Sequence, residues 1–208
     1  MCSNCMNNCG GSCSSSRNTC QNLGPFTAVD VACITTPTPT ATGSIIPFSS
    51  GVTPVVLATL LGGVVGVPSL IGFGTAIPGV AILGNQIDLS GLITEAFSVP
   101  RAGNITAISA SFTSTLGVTL LGSTTVQATV FQAPAGSSIF TATTATVNLA
   151  PPFTGVLVGG ETAFATATVG PIPVAAGDRL LMVYTIATEG ITVAQVLTGT
   201  ASAGITIA

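Results

Sequence analysis

Residues 104–114 read NITAISASFTS, and the stretch sorts into two kinds of side chain. Ile108, Ala110 and Phe112 take alternate positions, with Ser109, Ser111 and Thr113 between them. A period of two puts the apolar set on one side of an extended strand and the hydroxyls on the other. The pattern recurs outward from there. In 124–132, Val126, Ala128 and Val130 oppose Gln127, Thr129 and Phe131. Segments 139–149, 162–169, 179–187 and 191–198 follow the same logic, and 204–208 completes the set. Pro100-Arg101-Ala102-Gly103 and Ala175-Ala176-Gly177-Asp178 read as turns between them. No stretch combines a 3.6-residue period with capping signals. Many short strands with Gly/Pro punctuation predict an all-β, antiparallel sandwich or barrel over residues 45–208.

Composition narrows the function. The 208 residues include three cations, all Arg, six acids and no His, so charged residues make up 4% of a chain whose net charge is −3. An ordinary soluble domain carries about 25%. Catalysis that needs imidazole is excluded, as is any zinc site with a His ligand. Three arginines cannot track a phosphate backbone, so nucleic acid is not an expected partner. A surface with so little charge does little to oppose self-association. Asp30, Asp88, Glu95, Glu161, Asp178 and Glu189 are scattered, and no pair of them is spaced as catalytic carboxylates. The reading is a protein that is not an enzyme and has no cofactor.

Residues 55–67 (VVLATLLGGVVGV) form the most apolar run, but 13 residues between Pro54 and Pro68 fall short of the roughly 20 that a spanning helix needs. The first residues lack the basic and apolar regions of a secretory signal, so none is expected, and neither is a membrane span.

All six cysteines, Cys2, Cys5, Cys9, Cys13, Cys20 and Cys33, fall within residues 1–33, among Asn, Ser and Gly. That segment reads as an irregular Cys-rich connector arm. Residues 34–44 (ITTPTPTATGS) form a semi-stiff Thr/Pro spacer reaching roughly 3 Å per residue. Three uses of the thiols stay open. The first is an all-thiolate zinc site or metal store, for which one C-x2-C knuckle is a thin signal. The second is bridging within the arm, where six cysteines allow 15 pairings. The third, and the sharpest, is disulfide cross-linking between subunits. An arm joined by a spacer to a cysteine-free body cannot staple that body, but it can reach a neighbour. Such bonds form once the assembly meets an oxidising exterior.

From Ile45 onward the chain resembles the C-terminal domain of BclB-type exosporium glycoproteins of bacterial spores. The resemblance rests on IPFSSG (46–51), IGFG (71–74), IDLSG (87–91), AFSVPR (96–101) with GNIT (103–106), IPV (172–174), RLLMV (179–183) and ASAG (201–204). It implies a jelly-roll sandwich of the tumour necrosis factor-like type, a homotrimer, and no catalysis. The collagen-like stalk of that family is absent, and the Cys-rich arm stands in its place, an architecture similar to subunits of spore appendage fibres. The expected function is therefore a structural, self-assembling subunit of a spore-surface fibre or layer. The trimers would be linked by N-terminal disulfides, with this chain as its own principal partner and other spore-surface proteins as further ones. The competing expectation is a trimeric binding or adhesion module anchored to the exosporium by its arm. Arg101 and Arg179, the two arginines of the body, are expected in partly buried ion pairs, with carboxylates supplied at a strand end or by a neighbouring chain.

Overall fold

The structure, a computed structural model, describes residues 43–60, 65–92, 96–189 and 194–208. These residues form strands and loops and contain no helix. In chain order the strands are β1 (Ser44–Ser49), β2 (Val55–Thr59), β3 (Val65–Val67), β4 (Ser69–Ile71), β5 (Ala76–Pro78), β6 (Gln86–Asp88) and β7 (Phe97–Ser98). They continue with β8 (Gly103–Ser114), β9 (Val118–Ala133), β10 (Ile139–Asn148), β11 (Phe153–Leu157), β12 (Thr162–Val174), β13 (Arg179–Glu189) and β14 (Val196–Ile207).

They build two antiparallel sheets. The first runs β12-β8-β14-β2-β3, with β1 also on β14. The second runs β5-β4-β13-β9-β10-β6, with β11 on β9 and β7 on β13. From β11 the chain alternates sheets, with β12 in the first, β13 in the second and β14 back in the first, as a jelly roll requires. The apolar run at 55–67 is no membrane helix: its described ends, β2 and β3, pair as an antiparallel hairpin.

The alternating residues go where the period of two sends them. Ile108, Ala110 and Phe112 of β8 lie between the sheets, with Val126, Ala128 and Val130 of β9 and Leu180, Met182, Tyr184 and Ile186 of β13. Ile105, out of phase with Ile108, joins them because the pairing of β8 with β14 shifts register beside it. Phe112 meets Phe153 edge-on at 5.8 Å, a favoured geometry for two ring quadrupoles. A second apolar cluster covers the outside of the second sheet, with Leu70, Ile87, Leu89, Phe131, Phe140, Leu181 and Val183 under the 77–82 segment. Phe131, which the alternation assigns to the polar side, is therefore buried too.

The expected strands 191–198 and 204–208 join over the described residues: β14 runs from Val196 to Ile207 unbroken through Gly199 and Gly204, and 191–193 lie outside the described residues. Gly199 is a point of close approach. A Cβ there would sit 2.5 Å from Cζ of Phe112 and 2.2 Å from the Thr113 carbonyl oxygen, so the missing side chain admits the Phe112 ring.

The stretches 46–51 and 71–74, distant in sequence, lock together. Ser49 donates its N–H to Gly72 at 2.8 Å and accepts from the Gly74 N–H at 2.8 Å. Phe48 stacks on Phe73 at 5.6 Å, and Phe73 meets Phe97 at 6.4 Å. Gly51 has φ +57°, and a Cβ there would approach the Gly74 carbonyl oxygen to 2.3 Å, which leaves room for glycine alone.

Candidate assembly face

The outer surface of the first sheet is built from the alternate residues that the core does not use. Registers across β12, β8, β14 and β1 align them in rows. Thr162, Thr113 and Thr200 form the first, and Phe164, Ser111, Ser202 and Ser49 the second. Thr166, Ser109, Gly204 and Pro47 form the third, and Thr168, Ala107, Thr206 and Ile45 the fourth. None of these positions carries a charge, and none is buried.

The hydroxyls answer one another across the strands. Thr113 bonds Thr162 at 2.8 Å, Ser111 bonds Ser202 at 2.9 Å, and Ser109 bonds Thr166 at 2.8 Å. Covering a polar group costs free energy mainly when it loses water without gaining a partner. Each pair satisfies one of its two O–H donors within the face, so drying it costs less than drying the same hydroxyls unpaired. Two large apolar side chains project from it, Phe164 at 66% and Ile45 at 74% exposure. Beside Phe164, where Gly204 has no side chain, lies a shallow hollow of about 180 Å³ lined by Ser109, Ser111 and Ser202. An exposed aromatic ring on a surface without charge shares two features of a protein–protein interface core, an aromatic side chain and the depletion of charge.

Below this surface Tyr184 ties the two sheets. Its hydroxyl donates to the Ser202 carbonyl at 2.7 Å and lies 3.2 Å from that of Ser111. Burial pushes the phenol well above its ordinary titration range, and the Ser111 backbone contact offsets this only in part.

The arginines differ from each other. Arg179, partly buried, donates from Nη1 to the Ser137 carbonyl at 3.2 Å, and its guanidinium lies 5.2 Å over the Phe140 ring. Its neighbour Asp178 is taken by other donors, Gln132 Nε2 and the Ala175 N–H, each at 2.8 Å. Arg101 is exposed, with a long contact of 3.4 Å from Nη2 to the Ser44 hydroxyl. Among the described residues no carboxylate pairs with either arginine. Asp88 is exposed, and Ser90, through its hydroxyl and its N–H, holds that carboxyl below its usual range. Cys2, Cys5, Cys9, Cys13, Cys20 and Cys33 lie outside the described residues. Among the described residues no cluster of acids, His and Cys could hold a metal ion.

Sequence reading separated Ser109, Ser111 and Thr113 from the core but did not assemble the face. Its other halves, Phe164 and Ser202, lie 53 and 91 residues from Ser111 and reach it only through pairing. The available signal was the repeated alternation of small and hydroxyl residues in 162–169 and 198–206.

No family model matches the chain. The sequence is 29% identical over 185 residues to "Collagen-like protein 1" of Acanthamoeba polyphaga mimivirus, an alignment covering 80% of this chain and 19% of that relative. The chain thus spans about a fifth of the length of the curated relative it matches. Among solved structures, Eiger TNF from S. frugiperda aligns over 80% of this chain and 92% of that one, with TM-score 0.36 and 10% identity.

Proposed function

We propose that this chain is a structural subunit that self-associates through the outer face of its first sheet, as a homotrimer. The trimers are joined into a spore-surface fibre or layer by disulfides from the N-terminal cysteines. The observation that carries the reading is the three mutually bonded hydroxyl pairs around Phe164, on a face that also exposes Ile45 and carries no charge. Such a face is stable in water, and each pair brings a single unused O–H donor to a second copy that covers it. The phenyl of Phe164 and the hollow at Gly204 give it both a projection and a recess, so the projection of one copy can meet the recess of the next in a head-to-tail contact that closes around a three-fold axis. Similarity to part of a collagen-like protein supports a surface structural role, as does the likeness to exosporium domains. Arg179, with most of its donors unused among the described residues, would take its carboxylate from a neighbouring subunit.

Electron microscopy and light scattering of the full chain, with and without reductant, test the proposal. Filaments or sheets that fall apart to trimers on reduction are expected. Monomers at micromolar concentration under both conditions would refute it.

A further inference from the structure

The second sheet carries a different kind of surface on its outside. Strand β10 slips register against β9 between Ala142 and Thr146, and the intervening residues lift away from the ladder. Thr143 holds the bulge by donating to the Val130 carbonyl at 2.7 Å and accepting from the Ala145 N–H at 3.2 Å. On the other side the 82–85 segment stands as a wall, fixed by the Ala142 N–H on the Asn85 carbonyl at 2.8 Å. Between them runs a groove of about 470 Å³, in the size range of small-molecule clefts.

The floor of the groove is graded. Thr185 and Gln127 are cross-strand partners, as are Gln127 and Asn148. The next row holds Thr129 and Thr146, and the next Phe131 and Ala142, with Ile82 on the wall above. One end thus offers hydroxyls and an amide, and the other offers carbon. Gln127 spends one Nε2 hydrogen on Asn148 at 2.8 Å, leaving its carbonyl oxygen and a second hydrogen. Thr129 and Thr146 share one hydrogen bond at 3.0 Å and keep one donor between them. Thr185 is only 9% exposed, and among the described residues its hydroxyl has no hydrogen-bond partner. That hydroxyl opens onto the groove and is free to bond what enters it.

We infer that this groove binds a neutral sugar carrying an acetamido group. No charged side chain lines it, so a charged ligand would lose its hydration without a counter-charge. A wholly apolar ligand would strand Thr185 and Gln127. An N-acetylated hexose satisfies both ends: ring hydroxyls reach Thr185, Gln127 and the Thr129–Thr146 pair, and the acetamido methyl rests against Ala142 and Ile82. The site faces away from the proposed assembly face, so it is open whether or not the chain trimerises.

Ligand-observed saturation-transfer NMR on the full chain, with N-acetylglucosamine and with glucose as probes, tests this. The expected result is saturable binding of N-acetylglucosamine, strongest at its methyl protons and about tenfold tighter than glucose, the discrimination that one small apolar group supplies. Thr185→Val, which keeps the shape of the side chain, and Asn85→Ala, an exposed wall position, should each weaken binding several-fold while the far-UV dichroism stays unchanged. Absence of saturation, equal response to glucose, or unaltered affinity in both variants would overturn the assignment.

Discussion

The hydroxyl of Tyr184, rooted in one sheet, donates to the Ser202 carbonyl of the other at 2.7 Å. Ser202 carries on its opposite side a hydroxyl of the proposed assembly face, bonded to Ser111 at 2.9 Å. A core residue therefore holds the backbone beneath the surface through which subunits are proposed to meet.

Tyr184→Phe keeps the ring and removes the bond across the sandwich. A loss of about 1–2 kcal/mol in unfolding free energy is expected, the usual cost of a buried hydrogen bond whose acceptors stay buried. Chemical denaturation of the reduced protein measures it. A change indistinguishable from zero would mean that the two carbonyls are satisfied within their own strands.

The chain has one tyrosine, so tyrosinate absorbance reports Tyr184 alone. Its folded-state value is raised above the unfolded value of about 10. The folded chain therefore holds the proton where the unfolded chain has released it. This contribution to stability is fully present below about pH 10 and declines as pH rises beyond it. Absorbance should stay flat through the normal phenol range and rise only with loss of structure. A reversible titration near pH 10 in folded protein would contradict the burial.

Gly199→Ala places a Cβ 2.5 Å from Phe112 Cζ and 2.2 Å from the Thr113 carbonyl oxygen. Overpacking of this kind costs about 1–3 kcal/mol or more. A thermal melt should show the drop, and Gly170→Ala, where the added atom meets nothing within 4 Å, serves as the control.

Phe164→Glu puts a charge at the centre of the proposed interface while leaving the core untouched, since Phe164 is 66% exposed. Reduced protein should shift from trimer to monomer with its dichroism unchanged. A trimer that persists would place subunit contacts on another surface.

The arginines should separate. Arg179→Ala loses the Ser137 bond and the stacking on Phe140, together worth about 1–2 kcal/mol. Arg101→Ala, exposed, should fall within about 0.5 kcal/mol of the parent. If Arg179→Ala also lowers the assembly's mass, the guanidinium lies at a subunit contact, and a steeper loss of assembly with added salt would mark its partner as a carboxylate.

Much of this protein is local and so can be read from the chain itself. Alternation every second residue is a property of an extended backbone, and it put Phe112 inside and Ser111 outside before any fold was known. The absence of His and the near absence of charge likewise excluded whole classes of chemistry. Lateral neighbours are another matter. Which hydroxyl meets Ser111 depends on the register of β14 against β8, and that register is set by core side chains far apart in sequence packing together. The same holds for Phe131, whose position in the alternation looks exposed until the 77–82 segment folds over it. Gly199 reads as a break in a strand and proves to be the place where a ring needs room. The groove at Thr185 exists because β10 slips against β9, a displacement that no pattern along a single strand encodes. Periodicity along one strand is local, whereas contact between strands is a solution for the whole core, and only the folded chain contains it.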